Sequence, residues 1–457
     1  MSRPQRRILM ISIHGYVSAQ PELGRPDTGG QVVYVLRLSE SLARLGYRVD
    51  IMTRQFERQP AIETVNDRVR IVRIPSGGTG LIRKEWMCDV IPEWVDNAAR
   101  YIRSKGLAYA FVDSHYWDAG LAGDGLSRTL GISHVHTPHS IGSWKRDNMD
   151  GDSGELERQY NFARRIRDER AIYQAADALV ATTPQQRDIL VNGEYDVPRE
   201  NIAVVPPGFD DTRFFPVSSA TRQALKREAG LDGPLILALG RVAANKGYDL
   251  LLRSLPTVLS RVPAARLLLA VGSTEPPPGE TRQVEELRRL ATDLGVVDRV
   301  IFHDYIPDED LADTYRMADV FALSSRYEPF GMTAVEAMAC GTPAVITTEG
   351  GLWEMVAWGL EALYANPLDV EAFGHAIATV LLYPRVAGQL ARFGSHRARS
   401  TFTWNGIAQQ LVNVQQLRAL TDREHGRGAP EGGPRHATAS EAESSIREVE
   451  WVPAVSL

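Results

Sequence analysis

The feature that most limits what this chain can become is an alternation carried along its length. A short apolar run is followed by a longer stretch whose apolar residues recur with helical spacing. Strand-like runs fall at 8–12, 48–53, 69–74, 110–114, 133–137, 178–181 and 202–205, then at 235–240, 266–271, 300–304, 320–324, 342–346 and 362–364. Strands separated by helices pair in parallel, which gives an α/β fold. With 457 residues the chain exceeds one hydrophobic core, since single cores stop growing near ~250–300 residues. Two doubly wound domains are expected, 1–207 and 208–403, hinged at the rigid turn Pro206-Pro207-Gly208-Phe209-Asp210 with Pro216. Two such halves imply a ligand cleft between them, at the carboxyl ends of their strands. The segment 404–420 is expected as a helix crossing back to the first domain. The polar, Gly/Pro/Glu-rich segment 421–457 is expected as a disordered tail.

Composition narrows the function. A net charge of −6 argues against a nucleic-acid binder, whose affinity comes largely from neutralising phosphates. It leaves room for local basic clusters that grip small phosphorylated ligands. No uncharged apolar run nears the ~20 residues that span a bilayer, so neither nucleic acid nor membrane is expected as a partner. The opening Arg3-Pro4-Gln5-Arg6-Arg7 before Ile8-Leu9-Met10-Ile11 imitates a secretory leader. His14, Gly15 and the polar stretch beyond end the apolar run early, so it reads as a first buried strand. Only Cys88 and Cys340 occur; no disulfide framework follows, and a reducing cytoplasm is the expected setting. No GxGxxG opens a helix after a first strand, so a dinucleotide oxidoreductase is unsupported.

The chemistry concentrates in Ser325-Arg326-Tyr327-Glu328-Pro329-Phe330-Gly331-Met332-Thr333-Ala334-Val335-Glu336-Ala337-Met338-Ala339. This run leaves a strand and enters a helix closed by Gly341 and Pro343. A glycine loop opening a helix presents unpaired backbone N–H groups and a positive dipole end, which suits a phosphate. Glu328 and Glu336 flank that start. Carboxylates repel phosphate but accept hydrogen bonds from sugar hydroxyls, and a nucleotide-sugar carries both groups. A single helical Glu is ordinarily a solvated surface residue. Glu336, between Ala334-Val335 and Ala337-Met338, is expected to face the core instead.

The pair resembles the E-x7-E signature of retaining glycosyltransferases of the glycosyltransferase 4 family. That resemblance implies the GT-B fold, two Rossmann-like domains facing a cleft. It puts Glu328 on sugar hydroxyls and Glu336 on the nucleotide ribose, with Phe330, Gly331, Met332 and Thr333 beside the donor. In Gly240-Arg241-Val242-Ala243-Ala244-Asn245-Lys246-Gly247, Arg241 and Lys246 read either as two surface cations or as groups neutralising a diphosphate. Their spacing resembles the family's R-x4-K donor-diphosphate site.

In the first half, Asp27-Thr28-Gly29-Gly30-Gln31 precedes an amphipathic pattern. The Gly-Gly pair lets backbone approach a phosphate or sugar without a Cβ, or is only a flexible helix entry. The run from Ile13-His14-Gly15-Tyr16 to Val35 looks like the amino end of sucrose-phosphate synthases and their relatives. That resemblance implies Gly30 beside both substrates and Gln31, Lys84, Tyr116, Lys145 and Arg165 around the acceptor. The lysines and the arginine would hold its 6-phosphate, with Arg164 as the alternative to Arg165. By spacing alone, 155–175 reads as one helix with a solvated, salt-bridged face that leaves at least one arginine free. His139 follows a strand end, and the family implies that it lies beside the transferred sugar without acting as a base. The catalytic set so implied is His139, Arg241, Lys246 and Glu328.

The reaction implied is hexosyl transfer with retention, the leaving diphosphate being stabilised by Arg241, Lys246 and the helix start at 331–333. Asp308-Glu309-Asp310 after Pro307 reads as a helix start, so no essential metal is expected, with magnesium at most a non-essential activator. Gly350-Gly351-Leu352-Trp353 departs from the Gly-Gly-Pro-like run more usual in sucrose-phosphate synthases. The departure turns the expected donor from UDP-glucose to GDP-mannose, with fructose 6-phosphate as acceptor and a sugar-phosphate phosphatase downstream. Three alternatives stay open: the UDP-glucose reaction, a lipid acceptor at a membrane surface met by the Arg164–Arg170 cluster, and a nucleotide-sugar binder without turnover.

Overall fold

The computed structural model describes residues 6–21, 30–149, 152–272 and 279–424. Its first sheet contains β1 (Arg7–Ile11), β2 (Arg48–Gln55), β3 (Ile62–Asn66), β4 (Val69–Pro75), β5 (Val112–His115), β6 (His134–Thr137), β7 (Ala178–Ala181) and β8 (Ile202–Val204). Their order is β3-β4-β2-β1-β5-β6-β7-β8. The second sheet contains β9 (Leu235–Gly240), β10 (Arg266–Val271), β11 (Val300–His303), β12 (Val320–Leu323), β13 (Ala344–Thr347) and β14 (Leu363–Ala365), in the order β11-β10-β9-β12-β13-β14. The α/β expectation holds in both halves.

The central strands β1 and β9 are apolar on both faces because each sheet is covered on both sides. Along β1, Ile8 and Met10 pack into one core while Leu9 and Ile11 pack into another. Leu235 and Leu237 of β9 likewise separate from Ile236 and Ala238. Helices between parallel strands supply both coverings. In each sheet the strand order reverses once, between β1 and β5 and between β9 and β12. Loops leaving the carboxyl ends there diverge to opposite faces and open a crevice.

At residues 208–210 and 402–404 the chain passes between the sheets twice, side by side. Phe209 N–H donates to the Phe402 carbonyl at 2.9 Å. Gly208 lies against the Trp404 ring, where a Cβ would come within 2.5 Å of a ring carbon. The last helix, Trp404–Glu424, places Trp404, Ile407, Ala408, Leu411 and Val412 in the core that also holds Ile8 and Val35.

Three local readings need correction. The edge strand β3 is missing from the sequence reading because Ile62-Glu63-Thr64-Val65-Asn66 carries no apolar run. It pairs antiparallel with β4 alone. The single helix expected over 155–175 is two, Ser153–Tyr160 and Phe162–Ala175. Asn161 between them is left-handed at φ 53°, a conformation that Asn tolerates better than most residues. Finally, the last helix continues to Glu424, since no Gly or Pro interrupts the chain between 407 and 425. The rest of the predicted tail, 425–457, lies outside the described residues.

Candidate active site

Three loops leave the carboxyl ends of β9, β12 and β13, and backbone bonds stitch them into one surface. After β9 the chain turns through Arg241–Lys246 to Gly247, which opens the helix Tyr248–Arg261 at φ 63°. A Cβ on Gly247 would lie 2.1 Å from the Ser324 carbonyl oxygen, so only glycine lets the two loops approach this closely. Arg326 N–H donates to the Asn245 carbonyl at 2.8 Å, and Asn245 Nδ2 donates to the Tyr327 carbonyl at 3.1 Å. Glu328 N–H donates to the Glu349 carbonyl at 2.9 Å, tying in the loop after β13.

The structure brings Lys246 and Glu328 together: Lys246 Nζ donates to Glu328 Oε2 at 2.7 Å, and Ser325 Oγ donates to the same oxygen at 3.0 Å. Glu328 is buried, Lys246 half-buried and Arg241 exposed. The helix Met332–Ala339 begins directly after Gly331, so the N–H groups of Met332 and Thr333 open its first turn. Phe330 turns its ring inward, edge-on to Phe402 at 5.5 Å. Glu336 is half-buried and accepts from the Tyr315 hydroxyl at 2.8 Å. Burial pushes its carboxyl up to about 7, against the downward pull of that hydroxyl and of Arg213, with Asp308 adding to the rise.

In the first half, the loops after β1, β5 and β6 gather a second set. Of the glycine motif, Asp27, Thr28 and Gly29 lie outside the described residues. Gly30 is the exposed first residue of the helix Gly30–Arg44. Gln31 Nε2 donates to the His115 carbonyl at 3.1 Å and Ser12 Oγ at 3.3 Å, so its amide braces the end of β5. Lys84 starts the short turn Lys84–Val90. Lys145 Nζ sits 4.2 Å from the Tyr160 ring centre, on the face that attracts a cation.

Arg165 corrects the sequence reading most clearly. It is 3% exposed, not part of a solvated face. Its Nε donates to Glu169 at 2.7 Å, Nη1 to the Tyr116 hydroxyl at 3.0 Å and Nη2 to the Ser140 carbonyl at 2.6 Å. Glu169 in turn accepts from Gly142 N–H at 2.9 Å. This guanidinium therefore shapes the loop 139–142 from behind. Arg164 pairs with Asp89 and Asp168. The charge alternation concealed this because helical spacing does not say which arginine faces inward.

His139 adopts φ 58° and stands with Nε2 3.0 Å from His115 Nδ1. Tyr34 meets it edge-on at 4.8 Å. Burial, then His115 and His14, hold its imidazole well below the usual histidine range, so it is neutral near pH 7. Sequence reasoning passed over Asp113, Tyr34, Trp144 and Ser325. Asp113 had a signal: with His115 it forms a polar pair two residues apart at the end of an apolar strand, hence on one face. Trp144 and Tyr327, from different halves, meet with ring centres 4.5 Å apart. No spacing within the chain announces that contact.

Cations, carboxylates and a helix start in one loop set, with histidines and lysines in the other, are chemistry that suits a phosphorylated sugar ligand. The comparisons agree. Residues 29–208 match the family model described as Glycosyl transferase 4-like domain, and 221–397 match Glycosyl transferases group 1. The chain is 50% identical over 418 residues to mannosylfructose-phosphate synthase of Agrobacterium fabrum, covering 91% of this chain and 92% of that protein. It is 33% identical to a D-inositol 3-phosphate glycosyltransferase of Corynebacterium jeikeium, covering 90% and 96%. Among solved structures, sucrose-phosphate synthase from Thermosynechococcus elongatus superposes with a TM-score of 0.75 at 29% identity, covering 91% of this chain and all of that one.

Proposed function

Because the chain belongs to the glycosyltransferases of this group, sharing their two-domain GT-B fold, we propose that it transfers mannose from GDP-mannose to fructose 6-phosphate with retention. The observation that carries this reading is the 50% identity over 418 residues to mannosylfructose-phosphate synthase. The reaction class is hexosyl transfer from a nucleotide-sugar to a sugar acceptor, and no described helix is long and apolar enough to cross a membrane.

In this reading Arg241 and Lys246 take up the charge of the departing diphosphate, with the first turn of Met332–Ala339 directed at the same place. Glu328, held by Lys246 and Ser325, accepts from hydroxyls of the mannosyl ring, and Glu336 accepts from the ribose. Gly30, Phe330, Gly331, Met332 and Thr333 line the donor through backbone. Lys84 and Lys145 grip the acceptor phosphate, while Arg165 acts through Tyr116 and Ser140. We infer no essential metal, since the cations are built in; magnesium would only activate, and turnover should survive EDTA. The product is a sugar phosphate, for which a phosphatase is the consuming enzyme. The thiols of Cys88 and Cys340, both buried and unpaired, suit a cytoplasmic setting.

The test is to mix the purified chain with fructose 6-phosphate and either GDP-mannose or UDP-glucose, then measure released nucleotide. Turnover with GDP-mannose is expected; turnover with UDP-glucose alone would replace this reading with sucrose 6-phosphate synthesis. The structural likeness to sucrose-phosphate synthase supports that second reading.

A further inference from the structure

Asp113 of β5 is fully buried, and neither of its carboxylate oxygens has a hydrogen-bond partner among the described residues. A buried carboxylate without partners is costly, so its retention calls for a reason. His115, two residues on and on the same strand face, sets Nε2 3.3 Å from Asp113 Oδ2. The contact is out of line for a hydrogen bond but close in charge. His115 Nδ1 then lies 3.0 Å from His139 Nε2. Tyr34 packs against both rings, 5.6 Å from His115 and 4.8 Å from His139, which limits their rotation.

One proton lies between two ring nitrogens 3.0 Å apart. Which ring owns it depends on Asp113. A lone pair on His115 Nε2 would face the carboxylate's negative charge, so that nitrogen carries hydrogen. With one proton on each ring, His115 Nδ1 must accept and His139 Nε2 must donate. The remaining nitrogen of His139, Nδ1, is left with its lone pair.

We propose that Asp113, acting through His115, is a positioning residue that fixes the tautomer of His139, so that His139 meets the sugar as a neutral hydrogen-bond acceptor at Nδ1. The ligand group it takes is a hydroxyl of the transferred hexose. This rests on the hexosyl-transfer reading of the cleft and adds the polarity with which the cleft reads that hydroxyl. His139 carries no proton away: it orients the sugar and leaves the bond-making to donor and acceptor.

The test is a nitrogen-15 spectrum of the whole, ligand-free protein labelled at histidine, with His139 assigned by its loss in His139→Gln. A hydrogen-bearing Nε2 and a bare Nδ1 are expected. In Asp113→Asn the amide serves either tautomer, so the preference disappears and both forms of His139 become visible. Turnover should fall roughly twofold, because the competent tautomer is then about half of the population. GDP affinity should not move. A native His139 protonated at Nδ1 overturns the proposal, as does an Asp113→Asn protein with native tautomer and native turnover. If that variant fails to fold, the native spectrum alone decides. Because the spectrum is recorded without sugar, it is independent of which donor the enzyme accepts.

Discussion

At Glu336 a single side chain couples stability to pH. Its carboxyl sits near 7 in the folded protein against an ordinary 4.5. Below the lower value both folded and unfolded chains hold the proton, and pH has no effect through this group. Between the two values the folded chain keeps a proton that the unfolded chain has released, so stability falls as pH rises, then levels off above the folded value. The expected loss is on the order of 1–3 kcal/mol, discounted for partial exposure. Urea unfolding of native and Glu336→Gln protein across that range checks it: the glutamine variant should lack the slope. Lys246 makes the opposite kind of prediction, large in rate and small in stability. Its ion pair with Glu328 is only part-buried, so Lys246→Ala should melt close to the native temperature. Removing the cation proposed to face the leaving diphosphate should still lower kcat by ~10²–10³. Released nucleotide and a thermal melt, measured on the same sample, separate the two effects.

Among the elements, the break at Asn161 does more than interrupt a helix. Its left-handed backbone and the bond from its Nδ2 to the Glu85 carbonyl at 3.2 Å set the angle at which Phe162–Ala175 departs. That helix carries Arg165 under the loop 139–142. Asn161→Ala should therefore cost about 1–3 kcal/mol, from left-handed strain plus a lost hydrogen bond. Asn161→Gly should cost less, because glycine keeps the conformation and loses only the bond. Both variants should raise the KM of the acceptor, since the loop this helix supports leads into the helix Gly142–Asp147 that carries Lys145, proposed to grip the acceptor phosphate. Denaturation curves and initial rates at varied acceptor concentration give the two readouts.

In the whole molecule the two halves touch where Trp144, next to Lys145, meets Tyr327, next to Glu328. Trp144→Ala should leave overall stability within about 1 kcal/mol, the worth of one exposed-edge aromatic pair. It should increase donor hydrolysis relative to transfer, because a cleft that closes less well admits water. The ratio of free hexose to transfer product measures it, and an unchanged ratio would discard the idea. Much here was legible without coordinates. Ile8–Ile11 and Leu235–Ala238 read as strands because burial on both faces demands uninterrupted apolar residues. The Glu328–Glu336 run and the Arg241–Lys246 loop each stood out because a strand end, a glycine and a helix start are local features, whereas the contact of Lys246 with Glu328 is tertiary. What lay beyond local reach was partnership. Arg165 and Arg164 are neighbours in the same charge pattern, and only packing sends one inward to Glu169 and leaves the other outside with Asp89. The strand β3 exists because β4 offers it an edge. The sequence by itself determined the alternation of elements, set by short-range periodicity, and the family, through motifs that resemble those of known glycosyltransferases. Tertiary structure alone decided which side chains meet across elements, His115 with His139 and Trp144 with Tyr327. Those contacts join residues brought together by the folding of a sheet or by the closing of two halves, and no local pattern encodes such distances.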